Sequence, residues 1–147
     1  MKRRSFIERL LRKVSVEENT DTLDASAVEM VKGIISLSDS NVKEIMVPRI
    51  DVVSISLDTP IDDIVTVISD CGHSRFPVYH ETVDNIVGML YAKDLLHYMV
   101  KEESEFDLEK LIRPAYFVPE SKKLDSLLRE FQRRRVHIAV VVDEYGG

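Results

Sequence analysis

His73 to Leu96 reads HSRFPVYHETVDNIVGMLYAKDLL, and this stretch decides the fold. An apolar run from Phe76 to Tyr79 predicts a short strand, Glu81 to Asn85 a polar turn, and Ile86 to Leu90 a second strand. A helix follows from near Ala92. A strand running straight into a helix N-terminus leaves several backbone N–H groups without partners, which is where a phosphate can sit. Gly88 would let a ligand come close to the backbone. Asp94, in the first helical turn, could accept hydrogen bonds from a ribose diol. The same spacing also suits a plain strand–turn–strand–helix core unit in which Asp94 faces the positive end of the helix dipole.

The flanking segments carry the same texture. Asp24 is placed to cap a helix with Val28, Val31, Ile34, Ile35 and Leu37 on one face. Val42, Ile45 and Met46 suggest a short helical turn stopped by Pro48, and Val52 to Leu57 reads as a buried strand. Thr59 and Pro60 stand as N-cap and first helical residue of a helix whose stripe is Ile61, Ile64, Val65 and Ile68. Asp62 and Asp63 are neighbours in its first turn, so they point apart and serve the dipole rather than acid–base chemistry. Cys71 reads as a helix-end residue. Upstream, residues 2–14 set Phe6, Ile7, Leu10, Leu11 and Val14 at helical spacing among six basic residues, a helix that could lie on an anionic membrane or dock on a partner. Residues 15–24 read as a linker.

A repeat organises the rest. IDDIVTVISDCGHSRFPVY (61–79) lies over LDSLLREFQRRRVHIAVVV (124–142) at an offset of 63 residues: Ile61 meets Leu124, Asp62 meets Asp125, Ile68 meets Phe131, and FPVY meets AVVV. Arg113-Pro114 before Tyr116-Phe117-Val118 answers Pro48-Arg49 before the Val52 strand. Tandem units of this kind stack to bury a shared face, with ligand clefts between them. The first copy continues through a second strand and the Asp94 helix, whereas the second stops in DEYGG, so the second unit is expected to be truncated and the chain to be a fragment of a longer one.

Composition excludes several classes. The chain has 147 residues, 44% of them hydrophobic, and 20 Lys plus Arg against 26 Asp plus Glu give a net charge of −6, so no nucleic-acid partner is expected. One cysteine allows no internal disulfide and fits a reducing compartment. No run reaches the length of a membrane span, and the N-terminus lacks the apolar centre of a secretory signal, which predicts a cytoplasmic protein. His73, His80, His97 and His137 are scattered without metal-ligand spacing. Arg133, Arg134 and Arg135 sit at a helix C-terminus, where the dipole favours them. Nothing places a base beside Ser74 or Cys71, so no catalytic grouping is readable.

IMVPR, HSRFPVY, DNIVGMLYAKDLL, RPAYFVPESKKLDSLLREFQ and HIAVVVDEYGG, in that order across residues 25–147, resemble the paired CBS domains (Bateman module) of the CorC/HlyC hemolysin-like, magnesium and cobalt efflux family. The resemblance implies an α/β fold of tandem β-α-β-β-α units packed through their sheets and preceded by N-terminal helices. The parts are 1–40 (basic helix, linker and packing helix), 41–105 (first unit) and 106–147 (second unit, incomplete). It implies the soluble branch of the family. It also implies a regulatory module that binds AMP, ADP or ATP, with magnesium as a companion and no integral metal. The adenine would lie in a slot of Val53, Ile55, Phe76, Pro77 and Val78, the ribose on Asp94, and the phosphates at the helix N-terminus near Lys93, with Arg75 a further phosphate candidate. The general pattern G-x-x-[Ser/Thr]-x-x-D has Tyr91 at the hydroxyl position here. Homodimerisation through the CBS units is the implied association, and membrane-surface or transporter contact at the inner face of the membrane is the expectation for the basic N-terminal helix. The competing reading is a dimerisation scaffold without nucleotide.

Overall fold

The computed structural model describes residues 24–101 and 105–143. The basic helix of 2–14, most of the linker, and the last residues of DEYGG lie outside them. Helix α1 (Ala25–Asp39) starts where the Asp24 carboxylate accepts from the Ala27 N–H at 2.8 Å. None of its residues is fully buried. A 3₁₀ turn at Val42–Glu44 ends before Pro48, which opens a second one at Arg49–Asp51.

Strand β1 is only Ile55–Ser56, shorter than the Val52–Leu57 strand expected. Val52 turns its N–H back onto Arg49 O, closing the 3₁₀ turn, and Ile50 is 92% exposed, so the chain reaches the sheet only at Ile55. Helix α2 (Ile61–Cys71) begins one residue later than expected. Pro60 keeps an extended ψ of 151° and serves as cap position, its carbonyl accepting from Ile64 N–H. Of the apolar stripe, Ile64 is completely buried and its neighbours half so.

Strands β2 (Arg75–Tyr79) and β3 (Ile86–Tyr91) pair antiparallel, β1 pairs parallel with β2, and the sheet order is β1-β2-β3. A proline in a central strand needs explaining, since it has no N–H to give. Pro77 lies opposite Met89, and Met89 sends both its backbone groups the other way, exchanging 2.8 Å hydrogen bonds with Arg113. Nothing on β3 asks Pro77 for a donor. The 112–114 segment thereby covers the outer edge of β3. The close approach that Gly88 permits is taken by the protein itself: a Cβ there would stand 2.8 Å from the Arg113 carbonyl oxygen.

Helix α3 (Ala92–Lys101) leaves β3 directly, and α4 (Leu108–Leu111) follows. Then β4 (Phe117–Pro119), α5 (Leu124–Arg134) and β5 (Val140–Val142) repeat the first unit, with β4 and β5 parallel. The repeat holds to the residue: α2 and α5 are offset by 63 at both ends. The pair Ile55–Val78 maps onto Val118–Val141, and both helices end on a left-handed residue, Gly72 (φ 68°) and Arg135 (φ 55°).

Among the described residues two apolar cores result. One contains Ile55, Ile64, Phe76, Val78, Leu90, Leu95 and Leu108; the other contains Val42, Val118, Leu124 and Leu127. The residues entering each unit cross over. Leu108, near the start of the second unit, is buried in the first core. Val42, near the start of the first unit, is buried in the second, where its N–H donates to Lys122 O at 2.9 Å.

Candidate nucleotide site

Asp94 is the third residue of α3, placed there because β3 runs into the helix without a loop. Its side chain is 23% exposed and both its oxygens are engaged: Arg113 Nε donates to Oδ2 at 2.7 Å and Nη2 to Oδ1 at 2.8 Å. A two-pronged guanidinium–carboxylate pair fixes orientation as well as charge. The hydrogen bond from Arg113 holds the Asp94 carboxyl below its ordinary range. Desolvation works against this, while the charges of Arg113, Lys93 and His97 add to it. Arg113 is correspondingly held above its usual value, first by the bond to Asp94. Asp94 is therefore an acceptor only, which suits a partner that brings hydroxyl donors.

Beside the carboxylate lies the Tyr91 ring, with three cations around it. Arg113 Cζ is 4.5 Å from the ring centroid, Arg75 Cζ 5.3 Å and Lys93 Nζ 5.8 Å. Arg75 reaches it because Arg75 and Tyr91 are cross-strand partners in the β2–β3 register. Arg75 Nε is buried without a hydrogen-bond partner, an orphan donor at the edge of the group. The Ala92 N–H is already taken by Ser74 O at 3.0 Å, so the helix start offers fewer free donors than a bare terminus.

The nine expected residues thus divide. Arg75, Tyr91, Lys93 and Asp94 come together. Ile55, Phe76 and Val78 do not form an open slot: their side chains fill the first core, with Phe76 and Val78 at 0% exposure. The strand alternation causes this, because residues 76 and 78 face the helices while 75 and 77 face the other way. Val53 and Pro77 are half-buried, and Val53 packs against that core. Arg113 is the member that sequence reasoning missed. It stands 19 residues from Asp94, and its only signal was a place in the repeat. An open cleft of about 660 Å³ lined by Leu57, His80, Val87, Glu109, Ile112, Arg113 and Pro114 shares Arg113 alone with the group. Among the described residues no three His, Cys, Asp or Glu side chains are placed to hold a metal ion, and no helix is long and apolar enough to cross a membrane.

The CBS domain family model matches residues 42–101. The magnesium and cobalt efflux protein CorC of Pasteurella multocida is 41% identical over 140 residues, 95% of this chain and 47% of that protein. The chain spans about half the length of the curated relatives it matches. The CBS domain of a bacterial CNNM/CorC family Mg²⁺ transporter in complex with ATP superposes with a TM-score of 0.77 at 43% identity, covering 83% of this chain and 87% of that one. A CBS-domain pair with bound AMP from Klebsiella pneumoniae gives 0.62 at 32% identity, covering 73% and 86%. The α/β fold with its repeated unit, the family model and these identities agree: the chain belongs to the CorC family of CBS-domain proteins.

Proposed function

We propose that the chain is the adenine-nucleotide-sensing module of a protein of magnesium and cobalt efflux, regulatory rather than catalytic. The observation that carries this reading is the ionised, oriented Asp94 carboxylate at the start of α3, set beside a Tyr91 ring ringed by Arg75, Lys93 and Arg113. A carboxylate held as a pure acceptor suits a ribose diol, and three cations within 6 Å of the neighbouring Tyr91 ring centroid suit phosphates. In this reading Asp94 binds the ribose, Arg75 and Lys93 meet the phosphates, and the adenine packs near Val53 and Pro77 against strand backbone. ATP and AMP bound to relatives of 43% and 32% identity support the ligand class.

The ligand would be AMP, ADP or ATP, accompanied by magnesium where the phosphates call for it. The module would work as a homodimer on the cytoplasmic side, peripheral to the membrane and coupled to a transporter. Nucleotide shifts such a module only as far as it prefers one arrangement over another. Its sequence units are 41–105 and 106–147, with the N-terminal 1–40 ahead of them.

The test is calorimetric titration of AMP, ADP and ATP, with and without magnesium, into the chain and its Asp94→Ala variant. Binding that weakens at least tenfold in the variant is the expected result. Binding indifferent to Asp94 overturns the site, and silence from both proteins leaves the dimerisation scaffold as the reading.

A further inference from the structure

We propose that Arg113 is a built-in competitor for the nucleotide site, a tethered counter-ion that holds Asp94 closed until a ribose displaces it. The inference rests on the reading of Asp94 given above. Both prongs of the guanidinium are spent on the two carboxylate oxygens, so a diol approaching Asp94 meets acceptors already in use. The competitor is supplied by the first part of the second unit, and it is fixed close at hand. The Arg113 backbone exchanges two 2.8 Å hydrogen bonds with Met89, and the glycine next to Met89 lets it lie close to the strand. An intramolecular partner held this way acts at a high effective concentration.

Release does not require the backbone to move. The guanidinium also lies 4.5 Å from the Tyr91 ring, so a torsional swing can carry it from the carboxylate while the ring still faces it. The apparent affinity of a site that is open for only a fraction of the time is reduced by that fraction. A pair closed about nine-tenths of the time therefore weakens binding about tenfold. Nucleotide occupancy is in this way linked to the second unit, because the ligand must first take Asp94 away from a residue of that unit.

The test uses adenosine, which has the ribose diol and no phosphate, so that any direct attraction of Arg113 to phosphate drops out. Affinities are measured by calorimetry for the whole chain, Arg113→Ala, Arg113→Gln and Asp94→Ala, with circular dichroism confirming the fold of each. Arg113→Gln retains much of the aliphatic stem and stands in if Arg113→Ala does not fold. The expected result is about tenfold tighter adenosine binding when Arg113 is replaced. In the unchanged chain, affinity for this uncharged ligand should also rise as salt screens the pair, and that salt dependence should vanish in the variants. Equal or weaker binding in the Arg113 variants, with affinity still dependent on Asp94, overturns the competitor and leaves the site intact. Adenosine binding that ignores Asp94→Ala, or no binding by any of the proteins, overturns the site reading and the competitor together.

Discussion

Gly88 and Arg113 touch through their backbones. A Cβ on Gly88 would stand 2.8 Å from the Arg113 carbonyl oxygen and 2.8 Å from Ile112 Cδ1, too close for either to stay where it is. Because one of the two obstacles is main chain, Gly88→Ala must push the 112–114 segment off β3 and strain its two hydrogen bonds to Met89. The expected loss is about 1–3 kcal/mol, read from urea unfolding midpoints, and a variant as stable as the parent would contradict the packing described.

The two matching helix ends offer an opposed pair of substitutions. Gly72 and Arg135 occupy the same left-handed position at the C-termini of α2 and α5. Nothing lies within 4 Å of a Cβ at Gly72, so Gly72→Ala tests backbone strain alone and should cost about 1 kcal/mol. Arg135→Gly relieves the same strain and should gain about 0.5 kcal/mol after the added freedom of the unfolded chain is counted. Thermal unfolding of both variants checks the signs.

Phe76 is the largest wholly buried side chain of the first core. Phe76→Ala should lower stability by about 3–5 kcal/mol, measured by chemical denaturation. A small effect would mean that the ring faces an open slot after all.

The Asp94–Arg113 pair makes a pH prediction. The folded-state pKa of Asp94 is depressed from 3.8, so its contribution to stability is present in full above about pH 4 and is lost as the pH falls through the folded value. The stability difference between the parent and Arg113→Ala should accordingly be largest above about pH 4 and shrink on further acidification. Urea midpoints across a pH series measure it. A gap that widens in acid would reverse the sign.

Much of this was written locally in the sequence. The stripe of Ile61, Ile64, Val65 and Ile68, the strands on either side of the 80–85 turn and the helix starting at Ala92 each depend on a few neighbouring residues. Periodicity reports such local patterns. The offset of 63 survived because both copies keep the same apolar positions. What escaped depended on a competing turn, on the choice of strand face and on one distant partner. Val52 leaves the sheet because Arg49 takes its N–H. Phe76 and Val78 vanish into the core because alternation decides faces, while the resemblance had grouped them with Pro77 as one wall. Arg113 was visible as a repeat marker, but its carboxylate lies across a fold that no spacing rule reaches.

The crossing of the two cores means that the unit of duplication and the unit of folding are not the same stretch of chain. A segment cut at the repeat boundary would leave Leu108 behind and carry Val42 as an exposed passenger. Each half is therefore a poor candidate for independent life, and the pair should unfold in one step. Whatever disturbs one half is reported mechanically to the other, through side chains that the halves have lent to each other.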